Sequence, residues 1–558
     1  MSSPAADGTN SATDGMSSTA DGMNLATVWE AVADAVGDAP ALLRGGRVTT
    51  WSTFEQRAAR LAEVFAANGI GHDAKVACYL YNGDEYLETT FAAFKVRAVP
   101  VNVNYRYLEA ELEYLLDNSD ARAVVFDVDF ADRLAAVRPR LADLTLYLCV
   151  GADAERPCPP WAFDYETAVA AATPMARIER SGNDLWFLYT GGTTGMPKGV
   201  MWPHRNLLQT AAATFSVVKA SVPTDPRQVA ATARTFHERH KAVRLLPAAP
   251  LMHGTSAITA IAVLSAGGSV VTLASRSFDA DELCRTVERD RVTQLTIVGD
   301  AFAAPILRAL ERASAAGRPY DLSPLKVIVS SGVMWSQTAK DELLQWCDAT
   351  LADTLGSSEG VGFASSVAKR DRPATTARFS LGEHARVFTE SGDEVAPGSG
   401  EQGLLAVGGP IPIGYYKDPD ATAGTFRTFG GRIWSMPGDH ATVETDGTIT
   451  LLGRGSVCIN TGGEKVYPEE VEETLKLHPM VGDANVVGVP DERWGQAVTA
   501  VVSPASAGSA VEPDDLVEHC KQHLAGYKCP KRVVVVDEIE RGPNGKADYR
   551  WAARTAGV

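Results

Sequence analysis

Apolar positions follow two different periods along the chain from about residue 24, and the two periods alternate. Helical spacing marks "FEQRAARLAEVFAANGI", "DEYLETTFAAFKVRA" and "YLEAELEYLLDNSD", whereas "KVACYLY", "VPVNVN" and "ARAVVFD" are short apolar runs typical of buried strands. The same alternation returns between "GGSVVTLA" and "LKVIVSSG". Helices that alternate with buried strands predict a layered α/β domain with largely parallel sheets.

The pattern changes twice in the second half of the chain. After residue 380, short glycine-rich strand and turn segments predict a small β subdomain inside a large N-terminal domain, residues 24–454. From residue 455 to residue 558, "EEVEETLKLH", "AVTAVVSP" and "DDLVEHCKQHLAG" predict a compact α+β C-terminal domain. We therefore expect the main domain boundary near Arg454–Val457.

Composition narrows the class of protein. Residues 1–23 are small, polar and nearly repeated, so we expect a disordered tail, and they lack the regions of a signal peptide. No apolar stretch is long enough to span a membrane, and the eight scattered cysteines fit free thiols in a reducing cytoplasm. A formal net charge of -17 disfavours nucleic acid and anionic lipid as partners.

"HCKQH" at 519–523 places two histidines at i and i+4 of a predicted helix. A metal site is one interpretation, but no further ligand pattern accompanies the pair. We favour a solvated helical face, and the same interpretation covers "HERH" at 237–240.

The segment "YTGGTTGMPKGV", Tyr189–Val200, combines glycines, threonine hydroxyls and a lysine after the apolar run "LWFL". It departs from a Walker P-loop because glycine follows Lys198, so no hydroxyl stands beside the lysine to ligate Mg²⁺. Thr190, Thr193 and Thr194 instead supply hydroxyls beside glycine N–H groups, which suits a polyphosphate that is held and then released. An ordinary glycine turn is the alternative, and the length of the pattern favours a phosphate loop.

"YTGGTTGMPKG" resembles the phosphate-loop signature of adenylate-forming enzymes, which include acyl-CoA synthetases, luciferases and peptide-synthetase adenylation domains. The resemblance covers nearly the whole chain after the tail and implies a C-terminal domain that is mobile between two reaction steps. Further blocks follow in the order of that family: "PLMHGTS", "SSGVMWS", "DTLGSSEG", "WSMPGDHATVETDG", "GRGSVCINTGGEKVYPEEVE" and "GPNGKADYR".

The resemblance implies roles for individual residues. His253 is similar to the residue that gates the acyl and pantetheine channels, Glu359 to the carboxylate that binds Mg²⁺, and Lys546 to the adenylation lysine. Lys198 and its loop would hold the β and γ phosphates of ATP. The other implied contacts to ATP or coenzyme A are Thr190, Gly191, Gly192, Thr193, Thr194, Gly195, Ser331, Gly332, Leu355, Gly356, Ser357, Ser358, Asp439, Arg454, Gly462 and Gly463.

These residue types suit the implied reaction, in which a carboxylate oxygen attacks the α-phosphorus of ATP. Both reactants are anions, so Lys546 would neutralise charge near the bridging oxygens, and Glu359 would offer Mg²⁺ a hard oxygen ligand. Asp439 would accept two ribose hydroxyls, and Arg454 would lie at the ribose and the hinge. Taken singly, Asp439 could be a turn residue and Glu359 a helix cap. Arg454 and Lys546 could be surface charges, and the ordered blocks argue against all four alternatives.

The chain departs from the family pattern at several positions. Leu355 stands where an aromatic residue commonly stacks on adenine, and Pro437 replaces the usual threonine before Gly-Asp. Val457 stands where many members carry a hinge aspartate or lysine, and Asn460 where many carry a lysine. Together with "SSGVMWS" and "NVNYRY", these departures most resemble the actinobacterial branch that acts on steroid side-chain and related acids.

We therefore expect an acid–CoA ligase that uses ATP, Mg²⁺ and coenzyme A on a bulky hydrophobic acid, with a polycyclic terpenoid or steroid acid favoured. Small residues recur in the predicted pocket segments, and Met334, Trp335 and Phe363 are the expected walls. Four other functions stay open: a medium/long-chain fatty acid–CoA ligase, an adenylating enzyme that hands the acyl group to a separate protein, a noncatalytic sensor, and a P-loop NTPase that yields ADP. A homodimer also stays open.

Overall fold

The computed structural model describes residues 23–191, 196–332, 335, 337–371, 378–454, 459–466, 468–505, 511–540 and 549–558. Residues 1–22 of the predicted tail lie outside this part. The assignment of Met23 to the tail is wrong, because its side chain is buried in the core. Asn24 caps the first helix, since its Oδ1 accepts the N–H of Ala26 at 2.7 Å.

Helices and short buried strands alternate through the first part of the chain, as predicted. The elements are α1 (Leu25–Val36), β1 (Pro40–Arg44), β2 (Arg47–Thr50), α2 (Trp51–Ala67), β3 (Lys75–Tyr79), α3 (Asp84–Lys95), β4 (Val99–Asn102), α4 (Glu109–Asn118), β5 (Ala121–Asp127), α5 (Ala131–Val137), β6 (Leu146–Val150), β7 (Phe163–Asp164), α6 (Tyr165–Ala171), β8 (Leu185–Gly191) and β9 (Pro197–Pro203). Within the described residues, seven strands form a sheet in the order β7-β6-β5-β3-β4-β8-β9. Only the β8–β9 pair is antiparallel, and it places Thr190 opposite Lys198.

The middle of the chain continues the alternation and then becomes mostly β. Its elements are α7 (His204–Thr210), α8 (Ala212–Ser216), α9 (Pro226–Glu238), β10 (Arg244–Pro247), α10 (Gly254–Ser265), β11 (Ser269–Thr272), α11 (Ala280–Asp290), β12 (Gln294–Ile297), α12 (Gly299–Ala315), β13 (Val327–Ser331), α13 (Gln337–Trp346), β14 (Thr350–Ser357), β15 (Gly360–Ala368), β16 (Arg378–Leu381), β17 (Ala385–Phe388), β18 (Gln402–Val407), α14 (Pro419–Thr425), β19 (Phe426–Phe429), β20 (Arg432–Ser435), β21 (Asp439–Val443) and β22 (Thr448–Arg454).

These strands join β1 and β2 in a second sheet. Its order is β19-β20-β18-β21-β22-β16-β15-β14-β13-β12-β10-β11-β1-β2, with β17 beside β18, which makes fifteen strands in the described chain. In this sheet, β1, β10, β11, β12, β13 and β14 run parallel to one another, and β2 pairs antiparallel with β1. The strands β15 to β22 pair antiparallel with their neighbours, and β15 also pairs antiparallel with β14. The predicted glycine-rich β subdomain is therefore the antiparallel extension of a parallel sheet, with a core that includes Val387, Leu405 and Ile449.

The last hundred residues form an α+β unit with its own core. Its elements are β23 (Ile459–Thr461), β24 (Glu464–Val466), α15 (Pro468–Lys476), β25 (Val481–Asp491), β26 (Gly495–Pro504), α16 (Pro513–His523), β27 (Arg532–Val535) and α17 (Tyr549–Ala556). Val471, Val486 and Leu516 pack between the helices and the sheet. We call residues 459–558 the C-terminal unit. The predicted α/β class with a smaller α+β part is confirmed, and the boundary at residue 454 stays a prediction.

None of the helices in the described chain is long and apolar enough to cross a membrane. The cysteines in this part are free, as predicted.

Candidate active site

A cavity of about 530 Å³ lies among the carboxyl ends of β8, β13 and β14, the start of α10 and the β23–β24 hairpin. Ligands of open α/β sheets commonly bind outside the carboxyl ends of the strands. Many predicted site residues therefore come together here because they end these strands or follow them. Those that line the cavity are Thr190, His253, Ser331, Gly332, Leu355, Gly356, Ser357, Ser358 and Gly463.

Other predicted residues lie elsewhere or outside the described part. Gly192, Thr193, Thr194, Gly195 and Lys546 are outside it, as are Val457 and Met334. Asp439 begins β21 and pairs by backbone register with Arg454 on β22. Asp439 does not line the cavity, and the side chain of Arg454 is not among the described parts of the chain. The structure therefore pairs the backbones of these two residues, and their contacts to the nucleotide stay a prediction.

Asn102, at the end of β4, holds the floor of the site. Its Nδ2 donates to the carbonyl oxygens of Tyr189 at 2.9 Å and Met252 at 2.6 Å, and its Oδ1 accepts the N–H of Tyr189 at 2.6 Å. These three hydrogen bonds join the strand before the phosphate loop to Met252, the residue before His253. Sequence reasoning missed this role, because the first asparagine of "VPVNVN" indicates only a position within or near the end of a strand.

Lys198, on β9, is held by an acidic partner. Its Nζ lies 2.8 Å from Oδ2 of Asp418 and 5.5 Å from the ring centre of Tyr415. The hydrogen bond from Lys198 and the N–H of Ala421 keep the pKa of Asp418 below its usual range. The predicted phosphate-binding cation is thus paired with a carboxylate that sequence reasoning did not identify.

Glu359 does not cap a helix, since strand β15 follows it. Its Oε1 accepts the hydroxyl of Tyr415 at 2.8 Å, and its side chain is buried. Its other carboxylate oxygen has no hydrogen-bond partner among the described residues. One oxygen of this buried carboxylate accepts a hydrogen bond, and the other remains available for a metal ion. This arrangement fits a ligand of Mg²⁺, which prefers hard oxygen donors.

The β23–β24 hairpin carries Gly462 and Gly463 at its tip. Their φ angles are 58° and 86°, as a two-residue hairpin turn of the Gly-Gly type requires. A Cβ atom on Gly463 would lie 3.2 Å from Cγ1 of Val298, and one on Gly462 would lie 3.1 Å from the ring of Trp494. Glycine at both positions therefore permits the turn and its close approach to the cavity.

Glu464, directly after this turn, joins the C-terminal unit to the cavity wall. His253 Nε2 donates to its Oε1 at 3.0 Å, and a guanidinium nitrogen of Arg106 lies 3.2 Å from the same oxygen. Burial raises the pKa of Glu464, but the charges of His253, Arg106 and Lys528 outweigh it and hold that pKa below the usual value. The predicted gate residue His253 is therefore fixed by a carboxylate from the C-terminal unit.

The comparisons with known proteins agree with this geometry. The model of the AMP-binding enzyme family matches residues 29–416, and that of the AMP-binding enzyme C-terminal domain matches residues 470–546. The chain belongs to the AMP-binding enzyme family.

Relatives and solved structures add detail. The chain is 40% identical over 544 residues to 3-oxocholest-4-en-26-oate–CoA ligase of Rhodococcus rhodochrous, which covers 96% of both chains. It is 40% identical over 533 residues to a medium/long-chain-fatty-acid–CoA/3-oxocholest-4-en-26-oate–CoA ligase of Mycolicibacterium smegmatis, which covers 95% of this chain and 96% of that one. The fold matches the amide bond synthetase McbA from Marinactinospora thermotolerans with a TM-score of 0.77 and 24% identity, over 95% and 99% of the two chains. This member of the AMP-binding family is an AMP-forming acyl-CoA ligase.

Two of the predicted pocket walls and the histidine pair of "HCKQH" lie outside the cavity of this AMP-binding enzyme. The expectation that Trp335 and Phe363 form pocket walls is wrong, because neither residue lines the cavity and both side chains are buried in hydrophobic cores. The histidine pair of "HCKQH" lies on α16, where His519 Nε2 donates to the carbonyl of Thr474 at 3.0 Å. No cluster of three or more potential metal ligands occurs among the residues that the structure describes.

Proposed function

We propose that this AMP-forming ligase activates a bulky hydrophobic acid, a steroid or polycyclic terpenoid carboxylate, and transfers the acyl group to coenzyme A. The observation that carries the proposal is that the C-terminal hairpin and the predicted nucleotide residues line one cavity, so both half-reactions have access to the same acyl carbon. The names of the two relatives support a steroid side-chain acid as the substrate.

The part of the cavity between α8 and α10 suits the body of such an acid. Ala213 of α8 and Ala262 of α10 line it with small side chains, and Ile258 of α10 and Val361 of β15 add apolar surface. Apolar burial contributes about 25 cal/mol per Å², so a large ring system would gain much more binding free energy than acetate would.

The first half-reaction joins the acid to the nucleotide. One carboxylate oxygen of the acid attacks the α-phosphorus of ATP, the bond to the bridging oxygen breaks, and pyrophosphate leaves. Lys198 and Lys546 would neutralise the anionic reactants there. Mg²⁺, when bound at Glu359, would supply further positive charge to the phosphates. The side chain of no protein residue is needed as a nucleophile.

The second half-reaction breaks the acyl–AMP bond. The sulfur of coenzyme A attacks the acyl carbon, and AMP leaves with one oxygen of the original carboxylate. Gly463 leaves room for the thiol arm beside Val298 because it lacks a side chain. Near the hairpin, Trp494 lies beneath Arg493 and Lys531, with cation-to-ring distances of 4.6 and 5.6 Å. An aromatic ring with two cations suits an adenine bearing phosphate groups.

The test is a panel of acids, namely acetate, benzoate, octanoate, palmitate, a steroid acid and a diterpenoid acid. Pyrophosphate, AMP and thioester are measured with and without coenzyme A, and kcat/KM is compared among the acids. We expect a polycyclic acid to lead and AMP to form rather than ADP. A preference for palmitate or octanoate would favour the fatty-acid ligase, and adenylate formation without transfer to coenzyme A would favour a separate acyl acceptor.

A matched pair of variants tests the position of the acid. Ala212 and Ala213 are neighbours on the same helix and both are exposed, but only Ala213 lines the cavity. Ala213→Phe would fill part of the space proposed for the rings, so kcat/KM for the polycyclic acid should fall about tenfold relative to octanoate, which corresponds to about 1.4 kcal/mol. Ala212→Phe should change neither value. Equal effects of the two variants would show that the acid lies elsewhere.

A further inference from the structure

The segment Ile413–Asp418 is attached to the strand that carries Lys198. The N–H of Met201 donates to the carbonyl of Gly414, and the N–H of Tyr416 donates to the carbonyl of Gly199, at 2.9 and 2.8 Å. These bonds extend the sheet beyond β9 and fix the backbone on both sides of Tyr415. The position of Tyr415 relative to the phosphate-binding strand is therefore set by main-chain pairing.

The side chain of Tyr415 connects the two charged groups of the phosphate site. Its hydroxyl donates to Oε1 of Glu359 at 2.8 Å, and its ring lies 5.5 Å from the Nζ of Lys198. Tyr415 is 9% exposed and Glu359 is 8% exposed, so water competes weakly for this hydrogen bond. Lys198 also forms an ion pair with Asp418.

The main chain of Glu359 is fixed independently. Its N–H donates to Oγ of Ser357 at 3.1 Å, and its carbonyl accepts the hydroxyl of Ser435 at 2.6 Å. The freedom that remains is the rotation of the carboxylate itself, and the phenol of Tyr415 restricts it by holding one oxygen.

We propose that Tyr415 is a positioning residue of the adenylation step, whose hydroxyl orients the Glu359 carboxylate for Mg²⁺ while its ring supports Lys198. The inference rests on the proposed function, because it assigns Glu359 to Mg²⁺ and Lys198 to phosphate. Loss of the hydroxyl leaves both charged residues in place but frees the carboxylate to rotate. Metal binding is then weaker, and the step that needs no triphosphate is unaffected.

The experiment compares Tyr415→Phe with Tyr416→Phe in the full-length chain. Tyr416 is the matched control, because its hydroxyl donates to Asp120 at 2.6 Å and not to Glu359. Because a hydrogen bond to a charged group contributes about 1.5–3 kcal/mol, its loss should change the affinity for Mg²⁺ by about tenfold or more. For Tyr415→Phe, we expect the Mg²⁺ concentration for half-maximal adenylation to rise by that factor. Calorimetric titration of Mg²⁺ in the presence of α,β-methylene ATP should show the same shift without any turnover.

Thioester formation from supplied acyl-AMP and coenzyme A should stay within about twofold of the wild-type rate in both variants. The proposal is overturned if Tyr415→Phe keeps the Mg²⁺ dependence of the wild type, or if both half-reactions fall together. A wild-type enzyme that forms no acyl-AMP with any acid would contradict the proposed function instead. In that event the calorimetric comparison still tests Tyr415, since it requires no acid.

Discussion

Neutralising Glu464 tests whether its contacts hold the C-terminal unit against the cavity. The carboxylate is 5% exposed and faces two residues of the N-terminal part, His253 and Arg106. Glu464→Gln preserves the size of the side chain and one hydrogen-bond acceptor, but it removes the charge. We call the arrangement in which the hairpin lines the cavity the docked orientation, and we expect this substitution to weaken it.

The magnitude follows from the two contacts. The hydrogen bond from His253 to the charged carboxylate contributes about 1.5–3 kcal/mol, and glutamine retains part of that. The ion pair with the partly exposed Arg106 adds about 0–1 kcal/mol. A net loss of about 2 kcal/mol is a factor of about 30 in an equilibrium constant. Lys528 makes a second buried ion pair across the same interface, with Glu111, so docking should weaken without being abolished.

Single-turnover kinetics separate the effect on each half-reaction. Acyl-AMP is mixed with enzyme and coenzyme A, and the thioester rate should fall by up to about 30-fold in Glu464→Gln. Adenylation, measured as pyrophosphate release, should change less than about twofold. The control is Glu518→Gln, which removes an exposed charge from the same unit, where a surface ion pair contributes little. A larger loss in adenylation than in thioester formation would show that Glu464 does not stabilise the docked orientation.

Other predictions concern the remaining charges and the tail. Lys546→Ala should slow adenylation by about 10²–10³ while acyl-AMP is still converted to thioester, and near-normal adenylation would exclude this lysine. Glu359→Gln should raise the Mg²⁺ requirement, which an unchanged Mg²⁺ titration would contradict. Burial lowers the pKa of His204 from 6.5 to about 4. As the pH falls, the unfolded chain therefore takes up this proton before the folded chain does. The free energy of unfolding should decrease by about 3 kcal/mol between about pH 6.5 and pH 4. His204→Gln should remove this part of the decline in thermal midpoint, and an unchanged pH profile would contradict the assignment. Deleting residues 1–22 should leave turnover and the thermal midpoint unchanged. A clear decrease in either quantity would show that these residues contribute to activity or stability.

The sequence predicted the fold class because its two hydrophobic periods are local. The apolar run "ARAVVFD" is β5, and the amphipathic "DADELCRTVERDR" contains α11. The segments of Ser331 and Leu355 were predicted to bind ATP from the resemblance to adenylate-forming enzymes. Both line the cavity, because they lie toward the carboxyl ends of the neighbouring parallel strands β13 and β14.

The sequence could not predict contacts between residues that are far apart in the chain. The contact between Asp418 and Lys198 spans more than two hundred positions, as does that between Glu464 and His253. Local spacing carries no information about either pair. Trp335 was assigned to the pocket because it follows Ser331 closely in the sequence, yet its side chain turns into the core beside Lys340. A turn changes the direction of each side chain, and periodicity does not specify that direction.

In the proposed reaction the acid attacks the α-phosphorus of ATP, and coenzyme A then displaces AMP. The most direct measurement uses a steroid acid with ¹⁸O in both carboxylate oxygens, together with ATP, Mg²⁺, coenzyme A and the enzyme. Mass spectrometry of the products should show one ¹⁸O in the phosphate of AMP and one in the thioester carbonyl. AMP without the label, or ADP with ¹⁸O in inorganic phosphate, would contradict the account.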